Sequence, residues 1–194
     1  MRALTFAPLF ATFVVFAGGC VNEDPIPAFV SVAYQIRCLG DCFNATDNSP
    51  HSFYYVDGEE DLSVQCVVST VSGKEVLTFG TYCPGGDSAC GSSRLRFEIS
   101  GIDINSKDGD PGKTCQVTVR EGSNEYESSC TSGPIQGDRH CQISYKIDKE
   151  ASLVTGSLRC EDIENVSSPD ITRYIVAPNS QKAIKFTAQG CKGL

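Results

Sequence analysis

The chain has 194 residues, of which 40% are hydrophobic and 21% charged, with eleven cysteines, two histidines and a formal net charge of −8. An acidic chain whose basic residues are scattered argues against nucleic acid as a partner and against headgroup electrostatics as a membrane anchor. Scarce histidine and the lack of any C-x-x-C pair argue against structural zinc and exclude thioredoxin-like redox chemistry.

The first residues carry Arg2 and an apolar run from Ala3 to Ala17, broken only by Thr5, Pro8 and Thr12 and followed by Gly18, Gly19 and Cys20. The run is too short to cross a bilayer comfortably, so residues 1–19 are predicted to be a cleaved export signal. Ala17-Gly18-Gly19-Cys20 resembles the lipobox of bacterial lipoproteins, with Ala17 where leucine is usual. The resemblance implies lipidation of Cys20 at a new N-terminus, and three acyl chains hold a protein firmly on a membrane. Val21 in place of Asp after that cysteine implies outer-membrane sorting, with the protein facing the periplasm or the cell surface. Cleavage by ordinary signal peptidase, which also accepts Ala-x-Gly, leaves a soluble secreted protein as the alternative. Parity favours lipidation: with Cys20 set aside an even set remains, namely Cys38, Cys42, Cys66, Cys83, Cys90, Cys115, Cys130, Cys141, Cys160 and Cys191. So many cysteines in one exported chain read as disulfides formed in an oxidising compartment.

Loss of Arg2 takes the formal charge of the mature chain to −9. Residues 20–28, with Pro25 and Pro27, read as a tether, and residues 29–194 as one domain. Phe29 to Arg37 alternates with its apolar face on Val30, Val32, Tyr34 and Ile36. Leu62–Val71 and Glu75–Tyr82 flank the turn Ser72-Gly73-Lys74. Leu95-Phe97-Ile99 and Ile102-Ile104 form the next run, followed by Gln116–Glu121 and Glu125–Ser129 around Gly122-Ser123-Asn124. Gln142–Asp148 and Leu153–Arg159 flank Lys149 to Ser152, and Arg173–Ala177 and Ala183–Ala188 flank Pro178-Asn179. No stretch has a sustained helical period, so the expected fold is all-β, an antiparallel sandwich or open barrel. Cys115/Cys130 and Cys141/Cys160 each sit symmetrically about a turn and close their own hairpins or join neighbouring ones; Cys83/Cys90 is the expected short bridge.

Gly86-Asp87-Ser88 is similar to the nucleophile segment of trypsin-like serine proteases, but Ala89-Cys90 replaces the family's two glycines and His51 lacks its Ala-Ala-His-Cys setting. Asp103, Asn105, Asp108 and Asp110 gather hard oxygen donors suited to calcium, although Lys107 and Asp108 break the EF-hand order. Asp57, Glu59, Glu60 and Asp61 read as a solvated loop. Phe53, Tyr54 and Tyr55 read as core more readily than as an exposed patch for glycans or peptides. Asn44-Ala-Thr46 and Asn165-Val-Ser167 match the glycosylation pattern, which carries no weight in a bacterial lipoprotein.

Gly156, Leu158 and Cys160, with Phe186 and Cys191 beyond them, resemble the G-x-L/V-x-C strand of small mycobacterial surface lipoproteins over the last third of the chain. The expectation is a lipid-anchored, non-enzymatic binding or structural module of the cell envelope, without catalytic residues or a cofactor, whose partner is an envelope or extracellular protein or a glycan. A hydrolase of envelope polymers with a site built from loops is the alternative.

Overall fold

The computed structural model describes residues 28–38, 51–56, 63–83, 95–106, 109–121, 124–176 and 182–194. Its strands are β1 (Phe29–Cys38), β2 (His51–Val56), β3 (Ser63–Val71), β4 (Lys74–Tyr82), β5 (Leu95–Asp103), β6 (Gln116–Glu121), β7 (Asn124–Thr131), β8 (Cys141–Asp148), β9 (Leu153–Asn165), β10 (Ser168–Val176) and β11 (Ile184–Gln189). All eleven belong to one sheet in the order β10-β1-β11-β9-β8-β7-β6-β5-β4-β3, with β2 added beside β1. Of the two expected architectures the sheet is therefore the barrel, nearly closed on itself.

Local pairing follows the turns. Ser72 and Gly73 take positive φ (51° and 78°) between β3 and β4, which pair from Val71↔Lys74 out to Ser63↔Tyr82. Such backbone twist suits a two-residue hairpin. β10 and β11 follow one another along the same two neighbours: β9 pairs with β11 at Leu158↔Ile184 and with β10 at Cys160↔Ile175, while β1 pairs with both in the same sequence.

The interior is filled from opposite walls. Val30, Val32 and Tyr34 of β1, Phe79 of β4, Phe97 and Ile99 of β5, Val117 and Val119 of β6, and Leu158, Ile184 and Phe186 of β9 and β11 are buried in one cluster. Phe97 of β5 stands 6.1 Å from Tyr34 of β1, strands that are not neighbours in the sheet. Gly156 makes room for Phe186: a Cβ there would lie 2.4 Å from the Phe186 ring and 2.3 Å from the Ser144 carbonyl.

Two runs change face along their length. Phe97 and Ile99 point inward, and so does Ile102, because Gly101 (φ 70°) inserts an extra residue opposite β4. The expected run through 95–99 and 102–104 is thus a single strand bulged at Gly101 and ending at Asp103. In β9, Asp162 (φ 53°) switches the buried positions from Leu158 and Cys160 to Ile163 and Asn165. Expectation stopped this strand at Arg159 and began its partner at Arg173; both extend into polar sequence because Ser168–Val176 and Tyr126–Glu127 supply main-chain partners there. The purely antiparallel expectation is corrected as well. β7 and β8 run parallel at Cys130↔Cys141, since the 132–140 loop carries the chain back alongside β7 instead of reversing it.

Three disulfides join pairs of described cysteines. Cys115–Cys130 and Cys141–Cys160 each close their own hairpin, β6–β7 and β8–β9. Cys66–Cys191 ties β3, the last strand of the sheet order, to the segment after β11. Cys83 is disulfide-bonded too. Cys90 and Cys42 lie outside the described residues, as does the side chain of Cys38, so the expected Cys83/Cys90 bridge lies there also.

Candidate functional site

The outward face of β5, β6 and β7 is a grid of polar side chains set by register. Arg96 pairs with Arg120 and Arg120 with Glu125; Glu98 pairs with Thr118 and Thr118 with Glu127; Ser100 pairs with Gln116 and Gln116 with Ser129. Alternation of the strands sends Phe97, Val117, Val119, Tyr126 and Ser128 inward and leaves these rows outside. The grid floors a shallow groove of about 330 Å³, rimmed by Tyr82, whose side chain is exposed. It continues across Gln116 and Glu127 into a second depression of about 580 Å³ that reaches Lys113, Asp138, His140 and Glu164.

The charges inside it are mostly engaged. Arg120 is ion-paired with Glu125. Gln65 Nε2 donates to Glu98 Oε2 at 2.8 Å, and Gln116 Nε2 donates to Glu127 Oε2 at 3.0 Å. Burial raises the Glu98 pKa against the smaller opposing effects of Gln65 and Arg120. Burial also raises that of Glu127, and a hydrogen bond with Glu125 adds to the rise. Both shifts favour the protonated carboxyl relative to a free glutamate, through loss of hydration around the charged form.

None of these residues was singled out in the sequence. The available signal was alternation: Arg96, Glu98 and Ser100, then Gln116, Thr118 and Arg120, then Glu125, Glu127 and Ser129 occupy every second position of three consecutive strands.

The calcium candidates are placed otherwise. Asp103 Oδ2 accepts from Lys74 Nζ at 2.9 Å and its Oδ1 from the Asn105 amide at 3.1 Å, and the lysine contact, the largest effect, lowers the Asp103 pKa. Asp110 Oδ1 accepts from the Gly112 amide, and the Asn105 side chain donates to Glu75. The Tyr145 hydroxyl reaches the main-chain carbonyls of Asp103 and Asp110, both at 3.4 Å, and pins the loop to β8. Each carboxylate is thus engaged by donors of the protein itself, Asp103 by Lys74 and Asn105 and Asp110 by the Gly112 amide, while Asp108 lies outside the described residues. Among the described residues no three His, Cys, Asp or Glu side chains stand together as a metal site.

Cys20, the 57–61 acidic run and Gly86-Asp87-Ser88 lie outside the described residues. Phe53, Tyr54 and Tyr55 are on β2, in register with Val32, Ser31 and Val30 of β1. Asn165 is buried, its side chain bonded to Asn124 and to the Ser167 amide, so the folded chain offers no acceptor there. No protein-family model, curated protein or solved structure matches the chain.

Proposed function

We propose that this is a lipid-anchored envelope protein of bacteria, held by acyl chains on Cys20 at the outer membrane, whose β-barrel acts as a non-enzymatic binding or structural module. The observation that carries the reading is the Ala17-Gly18-Gly19-Cys20 junction after its apolar run. Cysteine pairing supports it. The seven cysteines with described side chains are all disulfide-bonded, six of them to one another and Cys83 elsewhere. Of Cys20, Cys38, Cys42 and Cys90, one completes the Cys83 bridge, so an odd number remains and one cysteine needs another fate. Lipidation of Cys20 is that fate. The polar groove on β5–β7 is the face we assign to binding, because its side chains are ordered by mutual hydrogen bonds and present donors and acceptors in rows.

The intact mass of the membrane-extracted protein tests the anchor. The expected species begins at Cys20, carries acyl mass, and exposes the ten other cysteines of the eleven to alkylation only after reduction. A mature chain without added lipid overturns the anchor and makes the protein a soluble secreted one. The second reading, hydrolysis of an envelope polymer, is favoured by the two raised glutamates sharing one groove. Turnover of peptidoglycan or polysaccharide fragments that Glu98→Gln or Glu127→Gln abolishes would replace the binding reading with that one.

A further inference from the structure

β3 ends the sheet order, and its outer edge is covered at one place by the chain's own segment after β11. Lys192 lies parallel to Val67, its amide donating to the Cys66 carbonyl and its carbonyl accepting from the Val68 amide, both at 2.8 Å. Gly193 rests against Val68, Leu194 packs on the core, and Cys191 is bonded to Cys66. An uncovered strand edge is a template for another strand, and here a five-residue strap, 190–194, supplies the cover.

The strap is joined to β11 through Gly190, whose φ of 73° is a conformation glycine adopts without a steric cost. Before the disulfide closes, two main-chain hydrogen bonds to β3, one from Cys191 to Ser152, the buried Cys191 side chain and Leu194 hold it. Main-chain bonds of this kind exchange for bonds to water at small net cost, so without the disulfide the strap is free to leave β3 and return. The segment that fits the β3 edge in this register is carried by every copy of the chain, and exchange between copies would preserve each contact, which is the condition for domain swapping.

We infer that the β3 edge is an exchange site, accepting the 190–194 strap of a second copy in the register used by its own and closing the Cys66–Cys191 disulfide between chains. The inference is independent of the lipid anchor and of the groove. In a glutathione buffer the chemistry balances as two thiols giving two protons and two electrons to one oxidised glutathione, which leaves as two reduced molecules.

Equal amounts of isotopically light and heavy full-length mature chains, reduced and then oxidatively refolded together at rising concentration, test it. The expected result is a covalent dimer whose share grows with concentration and in which about half of the Cys66–Cys191 peptide pairs join a light to a heavy chain, as random pairing of exchanged straps requires. A monomer at every concentration, or a dimer in which Cys66 and Cys191 always come from the same chain, overturns it. Mixing Cys66→Ser with Cys191→Ser chains gives a second reading, since neither can close the bond alone. A dimer linked through the intact Cys66 of one and Cys191 of the other is expected, and its absence from chains that retain their β-sheet circular dichroism overturns the inference.

Discussion

The rings of Phe79 and Phe186 meet 5.1 Å apart although their strands, β4 and β11, share no hydrogen bonds. The contact spans the barrel interior, so it reports curling of the sheet and not local pairing. Both side chains are buried, and removing a buried aromatic leaves a cavity that the surrounding strands cannot collapse to fill. Phe79→Ala is expected to lower unfolding free energy by about 3–5 kcal/mol, read by urea denaturation. A loss under about 1 kcal/mol would mean that the two walls do not depend on each other.

Gly156 sets how closely β9 and β11 approach that contact. A methyl group there would strike both the Phe186 ring and the Ser144 carbonyl, and the second is main chain, which cannot rotate away. Gly156→Ala is expected to cost about 1–3 kcal/mol through overpacking. Gly133→Ala is the control: its nearest neighbour would be Thr131 Oγ1 at 3.9 Å, an ordinary contact, and the change should stay within about 0.5 kcal/mol. Equal effects at the two sites would show that interior space is not what Gly156 provides.

Much of this barrel was legible because strands write their buried face at every second residue. Val30-Val32-Tyr34 and Val117-Val119 each name an inward row, and Ser72-Gly73 fixes a hairpin and its register. Legibility failed where main-chain pairing, not side-chain burial, sustains a strand: Glu161–Asn165 is mostly polar and changes face at Asp162, yet it continues β9 because β10 and β7 bond to it. The seam was also hidden, since Cys66 and Cys191 are 125 residues apart and no turn relates them. The groove escaped for another reason. Its arginines and glutamates look like any solvated face until cross-strand register sets Glu98 and Glu127 on either side of Thr118.

Those two glutamates make stability depend on pH with a sign opposite to that of Asp103. A carboxyl whose folded pKa is raised contributes stability that is complete below its ordinary value of 4.5 and is lost as pH rises through the folded pKa. Asp103 is lowered, so its contribution is present above 3.8 and is lost as pH falls through its folded pKa. Glu98→Gln/Glu127→Gln keeps an acceptor for Gln65 and Gln116 and removes the ionisation. The double variant is expected to match the wild type in acid and to gain on it as pH rises above the ordinary 4.5, by no more than about 1 kcal/mol because water screens both sites. Asp103→Asn should instead fall below the wild type at neutral pH and converge with it in acid. Urea midpoints measured across that range decide both; a pH-independent offset for either variant would contradict the assignment.

The three described bridges should not be equal. Cross-linking lowers the entropy of the unfolded chain by an amount that grows with the logarithm of the loop it closes. The loops differ widely: Cys66–Cys191 spans 125 residues, Cys115–Cys130 spans 15 and Cys141–Cys160 spans 19. The two short bridges lie inside the long loop and shorten it, but only logarithmically in energy. Paired Cys→Ala replacement is therefore expected to cost about 5 kcal/mol for the seam and about 3 kcal/mol for either hairpin bridge. Loss of the seam also uncovers the Cys66 carbonyl and the Val68 amide, so hydrogen exchange at Val68 should accelerate in Cys66→Ala/Cys191→Ala while remaining slow in the two hairpin variants. If all three replacements cost the same and Val68 stays protected, the strap is held by its main-chain bonds and packing, and the disulfide merely records where it lies.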